Sequence, residues 1–202
     1  MASILKVNEI QHTGGTSALT IDSSGVVSEV QKEYFQVDLT TDQSVGDNTL
    51  ATVDFGGSGT VIYDTKSNFD SSNDAYLLGS SAGVYMIHFN CGIASPTITT
   101  EQIIYTRCAV EAAADGSTYS ILKGSGQQLR NSDGDNGGSV VLSGSFIYKA
   151  TTATTKIRLR TYTDSTGSPD YEISATTANL TQNAGGDVSS ARATWLSIVR
   201  IA

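Results

Sequence analysis

The sequence predicts an all-β protein, a jelly-roll β-sandwich, and three observations carry that prediction. Short runs rich in Val, Ile, Tyr and Thr recur from residue 34 to the end, divided by clusters of Gly, Asp, Asn and Ser, which is the pattern of strands and turns rather than of βαβ units. The composition agrees, with 25 Thr, 26 Ser and 20 Gly against 2 Pro; these residues suit pleated, half-buried surfaces and tight turns better than helix interiors. With 202 residues, 39% of them hydrophobic, the chain can bury one main core and carry a small appendage.

The first 33 residues read differently from the rest. Ile4, Leu5, Val7 and Ile10 precede the turn His12-Thr13-Gly14-Gly15. Ala18 to Ile21 then leads through Asp22-Ser23-Ser24-Gly25 to Val26-Val27. These are two or three short strand-like pieces with too few apolar residues for a core of their own, so the segment must dock on something else. Glu29 to Glu33 reads as a polar connector. The chain accordingly divides into an anchoring segment, residues 1–33, and a head, residues 34–202.

From Tyr34 onward strands are expected at 34–39, 50–55, 61–63, 75–78, 84–93, 102–112, 119–123, 139–148, 156–162, 171–175 and 194–201. The punctuation between them includes Asp115-Gly116, the run Asn131 to Gly138, and Thr166-Gly167-Ser168-Pro169, all turn chemistry. The Gly clusters in 56–59 and 124–126 read as hairpin glycines, because no Lys-Ser/Thr or helix signal follows to make a phosphate loop.

Period-2 alternation assigns the faces. Tyr85, Ile87, Phe89 and Cys91 share one face, which is the core face, while Val84, Met86, His88 and Asn90 share the other. Ile157 and Leu159 alternate with Lys156, Arg158 and Arg160, which describes a surface strand. The closing stretch Trp195, Leu196, Ile198, Val199 and Ile201 carries apolar groups on both faces. Both sides must then be covered, which makes this strand a candidate subunit interface.

Charge narrows the function. Twenty acidic residues against twelve basic ones give a net charge of −8, a field that repels phosphate backbones and anionic lipid; no nucleic acid is expected as a partner. No apolar run approaches the length that spans a bilayer, and the opening residues lack a signal-peptide pattern, so no membrane insertion is expected and assembly is placed in a cytoplasm. The sequon Asn179-Leu180-Thr181 matters only in a secretory pathway.

Catalytic chemistry finds little support. His12 and His88 are the only histidines, and no G-x-S-x-G elbow accompanies either. Cys91 and Cys108 lack the C-x-x-C spacing of a zinc site and read as buried free thiols. The run Asn131 to Gly137 resembles a calcium loop but puts Asn136 where an EF-hand requires Gly and Leu142 where it requires Glu. Asp70 with Asp74, or Asp133 with Asp135, could supply a glycosidase pair, yet all four sit in turn-rich segments where Asp serves the backbone. The expectation is a non-enzymatic protein with no cofactor.

Two resemblances add to this reading. Tyr63-Asp64-Thr65, Asn68-Phe69-Asp70, Ala75 to Leu78 and Gly83-Val84-Tyr85 to Phe89 follow one another as in the complement globular-head and tumour-necrosis-factor-like jelly rolls, and Trp195 to Ile201 looks like the final, trimer-buried strand of that family. The resemblance covers residues 34–202 and implies a homotrimer whose interface includes Trp195, Leu196, Val199 and Ile201. Ser3 to Gln11 and Gly14 to Val27 are similar to a segment that opens virion structural proteins of tailed bacteriophages, those of marine and cyanobacterial phages above all. That implies anchoring to the virion through Ile4, Leu5, Val7 and Ile10, with tail or major capsid proteins as partners.

Together the resemblances imply an exterior virion protein of the tail-fibre or host-attachment type, assembled in the host cytoplasm, with a host surface glycan or protein as its target. Loops 115–118 and 131–138 are the candidate contacts. A capsid decoration, or cement, trimer is the alternative, since no collagen-like repeat, shaft or heptad separates the two parts. An adhesive carbohydrate-binding module unrelated to a particle is a third reading.

Overall fold

In a computed structural model of the chain, the structure describes residues 7–11, 14, 17–21, 23–25, 27–29, 33–79, 82–94, 102–131, 139–165, 170–175 and 193–201. Three short strands open it: β1 (Glu9–Gln11), β2 (Ser17–Ile21) and β3 (Val27–Glu29). They form a three-stranded antiparallel sheet in the order β1-β2-β3. Gly25, at φ +80°, turns the chain between β2 and β3 in a backbone region that glycine enters without a Cβ penalty.

The head follows as β4 (Tyr34–Leu39), β5 (Gln43–Val45), β6 (Thr49–Thr52), a single helical turn α1 (Phe55–Ser58), β7 (Gly59–Asp64), β8 (Phe69–Asp70) and β9 (Ala75–Leu77). The long strands come next: β10 (Gly83–Ala94), β11 (Gln102–Ala113), β12 (Ser120–Asn131), β13 (Ser139–Ala150) and β14 (Lys156–Ser165). The chain closes with β15 (Tyr171–Ser174) and β16 (Trp195–Arg200). Among the described residues no helix is long and apolar enough to cross a membrane.

Two sheets enclose the core. One runs β5-β15-β10-β16-β4-β7, with β13 on the other side of β10; the second runs β12-β11-β14-β9-β8, with β6 also on β14. The chain passes repeatedly from one sheet to the other, and the result is a jelly-roll β-sandwich. β16 pairs with Tyr85 to Asn90 and β15 with Gly92 to Ala94, so two strands share one edge of β10 in succession.

Alternation fills the interior as the sequence predicts. Tyr85, Ile87, Phe89 and Cys91 of β10 are buried, as are Ile157 and Leu159 of β14. Phe35 stacks on Tyr76 with ring centroids 4.1 Å apart and on Phe69 at 5.4 Å, within the range of favourable offset ring pairs. Cys91 and Cys108, from opposite sheets, are both buried and free. Their thiols hydrogen-bond to each other, and burial pushes the Cys108 thiol up.

Four expectations change. Glycines 56 and 57 lie in α1 rather than in a hairpin, because the Asp54 side chain caps the turn by accepting from the Gly57 N–H at 2.7 Å. Glycines 124 and 126 lie inside β12, opposite Ala109 and Arg107; β12 therefore runs eight residues past the expected end at 123 because β11 supplies its hydrogen-bonding ladder. β5 and β8 add two strands that carry no alternation of their own, being three and two residues long. Glu33, the last residue of the expected polar connector, is 1% exposed and bonds to Gly79 and Tyr85 of the head.

Candidate subunit interface

The outward face of β13, β10, β16 and β4 is the candidate functional surface. Register places its side chains in rows. Ile147, Met86, Val199 and Tyr34 align across the four strands. The next row is Ser145, His88, Ser197 and Gln36, continued on β7 by Tyr63. The third is Ser143, Asn90, Trp195 and Asp38. These residues project here because their neighbours in sequence, Phe35, Val37, Ile87, Phe89, Leu196 and Ile198, point into the core.

The apolar groups on this face stay open within one chain. Ile147 is 62% exposed and Tyr34 38%, while Met86, Trp195 and Val199 are half-buried. Asp38 is buried and its carboxylate accepts from Gln36 Nε2 at 3.0 Å. Asn90 Nδ2 donates to the Ala193 carbonyl at 2.7 Å, and the Gly92 N–H to Thr194 Oγ at 3.0 Å. Those bonds fix the entry to β16 and so the positions of Trp195 and Val199.

The structure separates the four residues expected at the interface. Trp195 and Val199 share the outward face, and Ile201 follows them just beyond β16, 49% exposed. Leu196 is corrected: it packs in the core of its own sandwich at 1% exposure, because alternate residues of a strand face opposite ways. Met86 and Ile147 were not singled out, although the alternation in β10 had already put Met86 on the outward side. Ile147 needed the β10–β13 register to place it beside Met86.

Of the expected anchor residues, Val7 and Ile10 are exposed, and Ile4 and Leu5 lie outside the described residues. So do His12, the sequon, Asp133, Asp135 and the loop 132–138. In the other candidate loop the Asp115 carboxylate accepts from the N–H groups of Ser117 and Thr118 at 2.9 and 2.7 Å. These hydrogen bonds hold its carboxyl well below the usual range, in an Asx turn.

Asp70 and Asp74 likewise accept backbone N–H groups, Asp70 that of Ser72 at 3.2 Å. Lys156 Nζ lies 2.9 Å from Asp70 Oδ2 and lowers that carboxyl. Asp74 accepts from the Gly56 N–H at 2.7 Å, while its burial raises it. On the second sheet Arg158 is paired with the buried Glu111 at 2.8 Å and lies 3.6 Å above the Tyr119 ring. No cluster of three or more His, Cys, Asp or Glu able to hold a metal ion occurs among the described residues.

The fold is the jelly roll of tumour-necrosis-factor-like domains. The chain superposes on Eiger TNF from S. frugiperda with a TM-score of 0.55 at 9% identity, covering 85% of this chain and 93% of that one. It superposes on murine APRIL, solved at pH 8.5, with a TM-score of 0.51 at 9% identity, covering 85% and 100%. The globular domain of a zebrafish complement 1qA protein matches more loosely, with a TM-score of 0.45 at 10% identity over 82% and 94%. No protein-family model matches the chain, and no curated protein is similar to it in sequence. At such identities the likeness is one of fold.

Proposed function

We propose that this chain is a non-enzymatic structural protein of a tailed-phage virion, carried on the particle exterior as a homotrimer. The observation that carries the trimer is the row Ile147, Met86, Val199 and Tyr34 with Trp195 beside it, an apolar strip left open across four strands of a sandwich whose core is already filled. A soluble domain gains by covering such a strip. A second and third copy of the chain cover it in this reading, as the TNF-like resemblance implies.

The virion assignment is supported by the opening segment. Its short sheet β1-β2-β3, with Val7 and Ile10 exposed, offers strand edges and apolar side chains for β-augmentation of a tail or capsid protein. Three heads on one axis add weak contacts to a host glycan or protein into avidity, which is a tail-fibre role. The separation of β3 from β4 by residues 30–33 alone favours the second reading, a capsid decoration trimer held close to its lattice.

Phage particles assembled with a chain lacking residues 1–30 test the proposal. The truncated chain is expected to sediment as a trimer and to be missing from purified particles. Its retention on particles would overturn the anchor, and a monomeric full-length chain would overturn the trimer. Copy number on intact virions then divides the two roles: fibres are few, decoration trimers number in the hundreds.

A further inference from the structure

The outward face of the second sheet holds a cluster that the local backbone does not use. Register sets Tyr105, Arg107 and Ala109 of β11 opposite Gln128, Gly126 and Gly124 of β12. Their neighbours Ile104, Thr106 and Cys108 are buried, so these six residues share the outer face. Resting on the host-attachment reading above, we propose that Tyr105, Arg107 and Gln128 bind a glycan residue that carries a single carboxylate.

Arg107 supplies the charge. Lys156 is held by Asp70 at 2.9 Å, Arg158 by Glu111 at 2.8 Å, and Arg160 by the Leu50 carbonyl at 2.7 Å. Arg107 is exposed and has no such partner among the described residues. Asp164, the carboxylate nearest to it in register, stands on β14 opposite Tyr105. The Arg107 stem leans the other way, over β12: a Cβ built on Gly126 would lie 3.3 Å from Arg107 Cγ. A planar guanidinium with open N–H groups can hold a carboxylate through two parallel hydrogen bonds.

The glycines leave room beside it. β12 is the terminal strand of its sheet, and Gly124 and Gly126 are both exposed, so bare backbone borders the guanidinium. Glycine inside a strand weakens it and marks places where a ligand or another backbone comes close. Tyr105 is 45% exposed and stands two residues before Arg107 on the same face, about 7 Å along the strand. One sugar ring can lie with its C–H face on the phenol while its carboxylate meets the guanidinium. Gln128, exposed opposite Tyr105, offers an amide donor and acceptor to the sugar hydroxyls.

This face stays open in the proposed trimer. Two sheets packed over one core turn their outer faces in opposite directions, so copies that cover Ile147, Met86 and Val199 leave the cluster to solvent. Charge limits the ligand as well. The net charge of −8 repels anions at long range, and the repulsion grows with the charge they carry. A neutral glycan with one carboxylate therefore fits Arg107 better than a polyanion does.

Titration calorimetry of the full chain with sialyllactose, glucuronyl-galactose and lactose, at constant ionic strength, tests the proposal. At least one of the two acids is expected to bind about tenfold tighter than lactose, and the difference between them names the acid. Arg107→Gln and Tyr105→Ala, both at exposed positions, should each weaken that binding about tenfold with the far-ultraviolet circular dichroism unchanged. Lys66→Ala, which removes an exposed cation after β7, should leave it unchanged.

Binding of neither acid, equal binding of lactose, or binding that survives both Arg107→Gln and Tyr105→Ala would overturn the proposal. An equal loss in Lys66→Ala would overturn it too, because the field of the whole protein would then be the cause. The role fails separately from the site. Phage particles whose Arg107→Gln chain no longer binds the sugar, yet which adsorb to host cells as before, would overturn attachment through this glycan and leave the site standing.

Discussion

The carboxylate of Glu33 accepts the hydroxyl hydrogen of Tyr85 at 3.2 Å and the N–H of Gly79 at 3.0 Å. The residue that ends the opening segment is thereby locked onto β10 at the centre of the first sheet. The approach is close enough that a Cβ on Gly79 would stand 2.6 Å from Glu33 Oε2.

Removing the lock should be costly. Glu33→Ala leaves a buried N–H and a buried phenol without their acceptor, and chemical denaturation is expected to show a loss of about 1–3 kcal/mol. Gly79→Ala should be destabilising as well, since its methyl would press on the same carboxylate.

Alkali should act through the same place. Burial and the neighbouring Glu33 push the Tyr85 hydroxyl up to about 12, and burial raises Tyr76 and Tyr171. A phenol whose folded value lies above its unfolded value near 10 contributes stability that is full below about pH 10 and is lost as pH rises toward 12. Ultraviolet titration should therefore find tyrosines that ionise only as the fold is lost. Free titration of all 9 tyrosines near pH 10 in the folded protein would contradict the burial.

The closing strand should answer differently on its two faces. If the proposed trimer holds, Trp195→Asp or Val199→Asp is expected to yield a folded monomer, because a charge on the outward face leaves the core of the sandwich intact. Leu196→Asp is expected to prevent folding, since that side chain lies in the core. Sedimentation together with circular dichroism separates the two results.

Gly144 lies directly opposite Phe89, and a Cβ placed on it would stand 2.5 Å from the Phe89 ring. Gly144→Val must displace a buried aromatic, at a cost of about 1–3 kcal/mol in thermal or chemical unfolding. Gly124→Ala, whose Cβ would lie 3.1 Å from the Cys108 carbonyl oxygen, should cost less.

Cys91 and Cys108 should be silent toward a thiol reagent at about pH 8 in the native protein and both titrate after denaturation. Both thiols are buried out of reach of a reagent, and the Cys108 thiol is pushed up by its burial, which makes it a poorer nucleophile. Rapid native labelling would show that the sandwich opens at this point.

Particular residues show where local pattern sufficed. Alternation alone placed Tyr85, Ile87, Phe89 and Cys91 inside and Met86 and His88 outside, because a strand repeats every two residues whatever its neighbours are. The same rule applies to β16, but its apolar groups on both faces leave open whether Trp195 or Leu196 points inward until the register of β16 on β10 fixes it.

The sequence by itself determined the all-β class, the order of the principal strands and their buried faces, since all three follow from local periodicity and turn chemistry. Only the tertiary structure decided that Ile147, Met86, Val199 and Tyr34 form one strip, that Cys91 meets Cys108 from the opposite sheet, and that Glu33 is buried under Gly79 and Tyr85. Each of those facts joins residues far apart in the chain. They depend on strand pairing and on how two sheets pack, which periodicity along one strand does not encode.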